Sequence, residues 1–274
     1  MAFKLGDVIV DRLQFGYGAK SNGTPLYALT QLTEANIEIT ADSTDINDKD
    51  GNLVYRKYTG KKGEVTATNA FLNLAVVETI SATDAEIATT DKGIVMPMIQ
   101  IVKAGETLDI TGFVEGSIHV NALSPKGSMG KEEFTKGSKA SATEYAIKHT
   151  DAASAPSVVP ASDVLEPPTA DGETQYVVKY KKTVTSGAKI TNSGKKFPKA
   201  HELFFKALVV DKCENEVLKA AIIHIPSFMP SPEVTIALQG GDSQNMDYKG
   251  AILTNTCGGD QDMVEIYFID EEEE

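Results

Sequence analysis

Tryptophan is absent from the 274 residues, while cysteine occurs only twice, arginine twice and histidine four times. Each scarcity excludes a class of chemistry. Cys213 and Cys257 are too few for a disulfide framework and lack histidines at zinc-finger spacing, so both are read as reduced thiols. Arg12 and Arg56 offer almost nothing for bidentate recognition of phosphate or guanine. The uninterrupted apolar runs, such as residues 74–77 and 207–210, stop at four residues, far below the roughly 20 that a spanning helix requires. Asp7 follows Met1 too closely for the apolar stretch of a secretory leader. A chain made in the cytoplasm, with no membrane association, is expected.

What the sequence has instead is carboxylate. Against 26 Lys and Arg stand 39 Asp and Glu, a net charge of −13, which argues against a protein that grips nucleic acid by neutralising phosphates. The charge is segregated. Residues 126–199 hold 12 Lys against 8 acids and the rest of the chain carries −17, a distribution suited to copies that meet head to tail. Residues 270–274 are five consecutive carboxylates, read as a solvated tail.

Turn residues punctuate the chain densely, and the segments between them are short and rich in Val, Ile, Thr and Tyr, so strands dominate. Asn22-Gly23 and Asp50-Gly51 each sit between two such segments and predict tight hairpins. Alternation in Ala35-Asn36-Ile37-Glu38-Ile39-Thr40, and of Tyr176, Val178 and Tyr180 against Val177, Lys179 and Lys181, predicts strands with one buried face. One helix is expected over residues 70–77, capped by Thr68 or Asn69, with Phe71, Leu74 and Ala75 on its apolar face. Residues 149–172, rich in Ala, Ser and Pro, read as a linker or extended surface loop. The expectation is a single domain over residues 1–274 with an inserted loop or small subdomain at about 121–174.

Apparent catalytic or binding motifs dissolve on inspection. Gly16-Tyr17-Gly18-Ala19-Lys20-Ser21 lacks the glycine before the lysine and the one five positions earlier that a phosphate loop needs. Asp45, Asn47, Asp48 and Asp50 mimic a calcium loop, but Gly51 falls one place late and Arg56 and Lys57 stand where the bidentate Glu belongs. His119, His149, His201 and His224 are scattered, and His224 reads as a hydrogen-bonded histidine at a strand edge. No Gly-x-Ser-x-Gly elbow is present. A pairing of Cys213 with a distant histidine such as His201 is the one nucleophilic arrangement open to it. No catalytic, cofactor-binding or metal-binding residue is nominated, and no enzymatic activity is expected. Tyr17, Tyr27, Tyr55 and Tyr58 would be the sugar-stacking residues of a carbohydrate- or receptor-binding module, a reading weakened by the lack of Trp.

The stretch at residues 29–45, with Thr33-Glu34-Ala35-Asn36-Ile37-Glu38-Ile39-Thr40 at its centre, continues through residues 48–58 and into Gly60-Lys61-Lys62-Gly63-Glu64-Val65-Thr66, then residues 67–73. It resembles the strand-then-helix segment of bacteriophage tail tube proteins. The strand pattern of residues 203–211, 220–226, 234–238, 248–253 and 263–269 is similar to the C-terminal third of such subunits. The resemblance implies a mainly β fold of two packed sheets, a sandwich or barrel, flanked by one helix. It also implies rings, commonly hexameric, whose strands join into one continuous inner β-barrel, as in the related type VI secretion tube. Its partners would be copies of itself, other tail proteins (sheath or terminator, baseplate) and DNA that passes through the lumen without specific binding. The protein would be a virion component made in the bacterial host cytoplasm. A capsid decoration protein or head-to-tail adaptor shares this composition. Residues 149–172 depart from a minimal tube subunit.

Overall fold

The computed structural model describes residues 8–151, 161–169, 174–211, 218–236, 245–254 and 261–272. The fold is mainly β, with one helix among the described residues. The chain divides into two compact units, Met1–Ala85 with Ile190–Glu274, and Glu86–Lys189. The second takes in the 121–174 segment and extends beyond it on both sides.

The first unit is one sheet. Its strands are β1 (Val8–Ala19), β2 (Pro25–Leu29), β3 (Leu32–Asn47) and β4 (Leu53–Asn69), then β15 (His201–Asp211), β16 (Leu218–Pro230), β17 (Met246–Ile252) and β18 (Glu265–Glu272). They run in the order β2-β1-β15-β16-β17-β4-β3, with β18 paired to β16. Both predicted hairpins are present: Gly23 (φ 79°) turns β1 into β2, and Gly51 (φ 85°) turns β3 into β4. Positive φ at these positions is the reason glycine stands there. Tyr27 and Leu29 come from one end of the sheet order and Val65 and Ala67 from near the other, yet they share one core with Leu203, Phe205, Ile225, Phe228, Tyr248 and Ile252. The sheet is therefore curled over on itself. Each fully buried aromatic or aliphatic side chain contributes roughly 1.5–3 kcal/mol of transfer free energy.

The helix, α1, spans Leu74–Ser81 and closes that core with Val76, Val77 and Ile80. It begins later than the sequence predicts, and its buried face differs. Phe71 and Leu74 are exposed. The reason is that residues 66–69 are held as strand between β3 and β17, so Thr68 and Asn69 cannot cap. Asn73 does so, with Oδ1 accepting from Ala75 N at 3.0 Å and Val76 N at 3.3 Å, while its Nδ2 donates to Ala28 O at 2.8 Å. Asn69 is buried and uses its side chain to bridge Gln31 N and Phe71 O instead.

The second unit opens and closes on a two-stranded pair, β5 (Glu86–Ala88) with β14 (Gly187–Lys189). Between them lie β6 (Ile94–Lys103), β7 (Leu108–Asp109), β8 (His119–Leu123), β9 (Met129–Glu133), β10 (Thr135–Gly137), β11 (Glu144–Thr150), β12 (Ser162–Glu166) and β13 (Gln175–Val184). They form two four-stranded sheets, β6-β13-β8-β9 and β10-β11-β12-β7. Val102, Val120, Tyr176, Val178 and Tyr180 from the first sheet meet Tyr145 and Leu165 from the second in one core. The alternation of Tyr176, Val178 and Tyr180 is thus the buried face of β13, with Lys179 and Lys181 exposed opposite.

Three further expectations change. Within the supposed linker, Ser162–Glu166 is a strand paired with β11 and β7, and Leu165 is fully buried; Pro167 and Pro168 beside it are buried too, and the prolines conceal this anchor from a compositional reading. Residues 152–160 and 170–173 lie outside the described residues, as do Cys213, Cys257 and the turn at 213–216. The run at 270–274 is strand as far as Glu272, which stands across from Lys219, while residues 273–274 lie outside the description. Of the strand expected at 234–238, residues 234–236 are irregular and 237–238 are not described.

Candidate assembly surfaces

β3 and β4 outrun the body of their unit. β17 accompanies β4 only from Gly63 to Asn69, so residues 39–62 form a ribbon of two strands with no third strand on either edge among the described residues. A two-stranded ribbon is marginal alone, and this one is pinned by polar devices. Asp48 Oδ1 accepts from Asp50 N at 2.9 Å and Asn52 N at 2.8 Å. The Arg56 guanidinium forks onto Asp45 through Nε (2.7 Å) and Nη2 (2.8 Å), which holds the Asp45 carboxyl below its ordinary range. Lys62 meets Asp42 at 2.9 Å. Ile46, Leu53, Val54, Tyr55 and Tyr58 are all exposed on the ribbon, Val54 to 67% and Tyr58 to 66%. So much apolar surface on an unsupported arm makes it a candidate interaction surface.

At the base of the ribbon lies a groove of about 550 Å³ between β1 and β3, walled by Leu13, Leu32 and Ile37 and floored by Phe205, Ala207 and Ile223. Among the described residues, β1 over its N-terminal part pairs only with β15, and β3 pairs only with β4. Two strand edges with unpaired backbone groups therefore face an apolar slot, the arrangement that invites strand addition. Val8, Ile9 and Val10 are exposed beside it. A third open edge is β18, which pairs only with β16 among the described residues and exposes Ile266, Tyr267 and Phe268.

The residues singled out for chemistry are engaged structurally. Gly16, Gly18 and Ala19 belong to β1, and the Asp45–Gly51 segment is a hairpin tip. No group of acidic, histidine or cysteine side chains suited to a metal occurs among the described residues. Tyr55 and Tyr58 are exposed on the ribbon and Tyr17 is half-buried, but Tyr27 is buried. It cannot offer a sugar platform because its ring lies over Gly18 and its hydroxyl is committed inside the core. Nδ1–H of His201 donates to Lys199 O (3.3 Å), leaving Nε2 to accept from the Tyr27 hydroxyl at 2.7 Å, and Tyr248 donates to Tyr27 at 2.5 Å. Burial pushes both tyrosines up and His201 down.

A second groove of about 710 Å³ beside His201 carries Lys20, Lys199, Glu78 and Asp84, charges of both signs that select no one ligand. His224 lies inside the sheet between β15 and β18 rather than at an edge; it stacks on Phe204 at 4.3 Å and meets Glu265 at 2.8 Å. The Tyr267 hydroxyl (2.5 Å) and His224 together hold the Glu265 carboxyl below its ordinary range. His119 pairs with Glu133, and His149 with Asp163, which raises His149.

Sequence reading missed the groove and the open edges. Their only trace is a strand such as β1, where Val8, Ile9 and Val10 run apolar on both parities without a second covering layer.

The family model described as the YomU/Tube protein family matches residues 7–266. The match spans nearly the whole chain, and the chain belongs to that family, in keeping with the tail-tube resemblance of its sequence. No curated protein matches it. No helix among the described residues is long and apolar enough to cross a membrane.

Proposed function

We propose that this member of the YomU/Tube family is the repeating subunit of a phage tail tube. The observation that carries the reading is the pair of unpaired edges, on β1 and β3, flanking an apolar groove. In a ring, the edge of one copy extends the sheet of the next and removes the exposed donors and acceptors that an isolated sheet leaves. Six copies per ring, joining their curled sheets into a continuous inner barrel, is the arrangement the tail-tube resemblance implies. The two-stranded ribbon at residues 39–62 gains a covering surface when rings stack, because its exposed Tyr, Val, Leu and Ile side chains have no cover in the single subunit.

Charge supports a conduit. The first unit carries 26 acidic against 15 basic residues, so a lumen lined by it repels the phosphate backbone and lets DNA pass without specific binding. The subunit then functions in the virion, contacting copies of itself and the sheath or terminator and baseplate proteins at the ends of the tube. It acts as a structural element and not as an enzyme.

Negative-stain electron microscopy of the purified chain across a concentration series tests this. Stacked rings of uniform diameter with a central channel are expected, and deletion of residues 42–59 should leave single rings that do not stack. Monomers at every concentration, with or without a tail-end initiator complex, would refute the tube.

A further inference from the structure

The sheet β6-β13-β8-β9 buries one face in the second unit's core through Val102, Val120, Tyr176 and Val178. Its other face is open. There β6 carries Val95, Ile99 and Ile101, exposed to 50, 67 and 61%. The register sets Lys179 beside Ile99 and Lys181 beside Pro97, and Lys103 ends the row. None of these three ammonium groups pairs with a carboxylate among the described residues, while Glu133 on the same face is engaged by His119 at 2.7 Å. An aliphatic row next to unneutralised cations selects a partner that is both apolar and acidic.

β6 is also an edge strand, paired only with β13 among the described residues. Pro97, midway along it, has no N–H, which disfavours continuous backbone pairing along that edge. The side-chain face is what remains available.

The matching chemistry occurs on this chain. β18 exposes Ile266 and Phe268 and runs in sequence into five consecutive carboxylates from Asp270. Ile99-x-Ile101-x-Lys103 and Ile266-x-Phe268-x-Asp270 share a spacing of two residues and end in opposite charge. We infer that the open β6–β13 face is an interface for a second copy of this chain. The second copy lays β18 against it, with Ile266 and Phe268 on Ile99 and Ile101, and with its terminal carboxylates toward Lys103, Lys179 and Lys181. The contact is heterologous, so it propagates from copy to copy. It rests on the reading of the chain as a self-assembling subunit and adds a specific contact to it.

The test uses the full chain in a Cys213→Ser/Cys257→Ser background. Ile99→Cys and Ile266→Cys variants are mixed and oxidised under assembly conditions. A disulfide joining two different copies is expected, absent when either variant is oxidised alone. In parallel, Lys179→Glu/Lys181→Glu should raise the concentration for half-maximal assembly about tenfold at low ionic strength, with the gap narrowing as salt is added. Normal assembly without the mixed cross-link, and without an effect of the double reversal, overturns the inference while leaving the tube reading intact. Failure of the wild-type chain to assemble defeats both.

Discussion

Gly18→Ala is expected to be among the most damaging single-methyl additions to the first unit. Gly18 stands directly across from Tyr27 in the β1–β2 ladder, and a Cβ there would lie 2.3 Å from Cζ of the Tyr27 ring and 2.7 Å from its hydroxyl. The ring has no free direction. It is 4% exposed, and its hydroxyl is tied to His201 at 2.7 Å and to Tyr248 at 2.5 Å.

Overpacking at such a site costs about 1–3 kcal/mol. Displacing the hydroxyl breaks both of its bonds, but Tyr248 can turn to His201 Nε2, 3.3 Å away, so the net loss is about one hydrogen bond, roughly 1 kcal/mol. The sum, about 2–4 kcal/mol, corresponds to a fall of roughly 5–15 °C in midpoint for a unit of this size. Thermal unfolding followed by circular dichroism measures it. Tyr27→Ala should cost much less in the Gly18→Ala background than alone, because the clash is already relieved. A Gly18→Ala protein that melts within about 2 °C of wild type, or additive costs in the double variant, would refute the argument that the cluster holds the ring in place.

Because burial favours neutral His201, its folded-state pKa lies below the ordinary 6.5. The stabilisation linked to it is therefore complete above about pH 6.5 and is lost as the pH falls toward the depressed value; thermal midpoints from pH 8 to pH 5 should decline in the wild type and decline less in His201→Gln. Leu165→Ala should destabilise the second unit by about 2–5 kcal/mol, through loss of a fully buried side chain. Hydrogen exchange over β11 and β12 reads this directly, and unchanged protection there would mean that residues 161–169 behave as the linker their composition suggests.

Local chemistry was legible wherever one residue suffices to decide a conformation. Asn22-Gly23 and Asp50-Gly51 dictate positive φ, and both turns are where the dipeptides stand. The alternation of Tyr176, Val178 and Tyr180 reports one buried face whatever covers it. The acid excess and the strand-rich tail-tube pattern likewise belong to the chain by itself.

Tertiary structure decided what depends on neighbours distant in sequence. Thr68 and Asn69 have good capping side chains, yet β3 and β17 claim their backbone for a ladder, and the cap passes to Asn73. Leu165 reads as one apolar residue in a proline-rich stretch until Tyr145 and Tyr176 enclose it. The groove between β1 and β3 has no sequence signature because it arises from what fails to pair, and a strand is an edge only by virtue of its place in the sheet. Periodicity records which face of a strand avoids water; it carries no information on which backbone edges are left open.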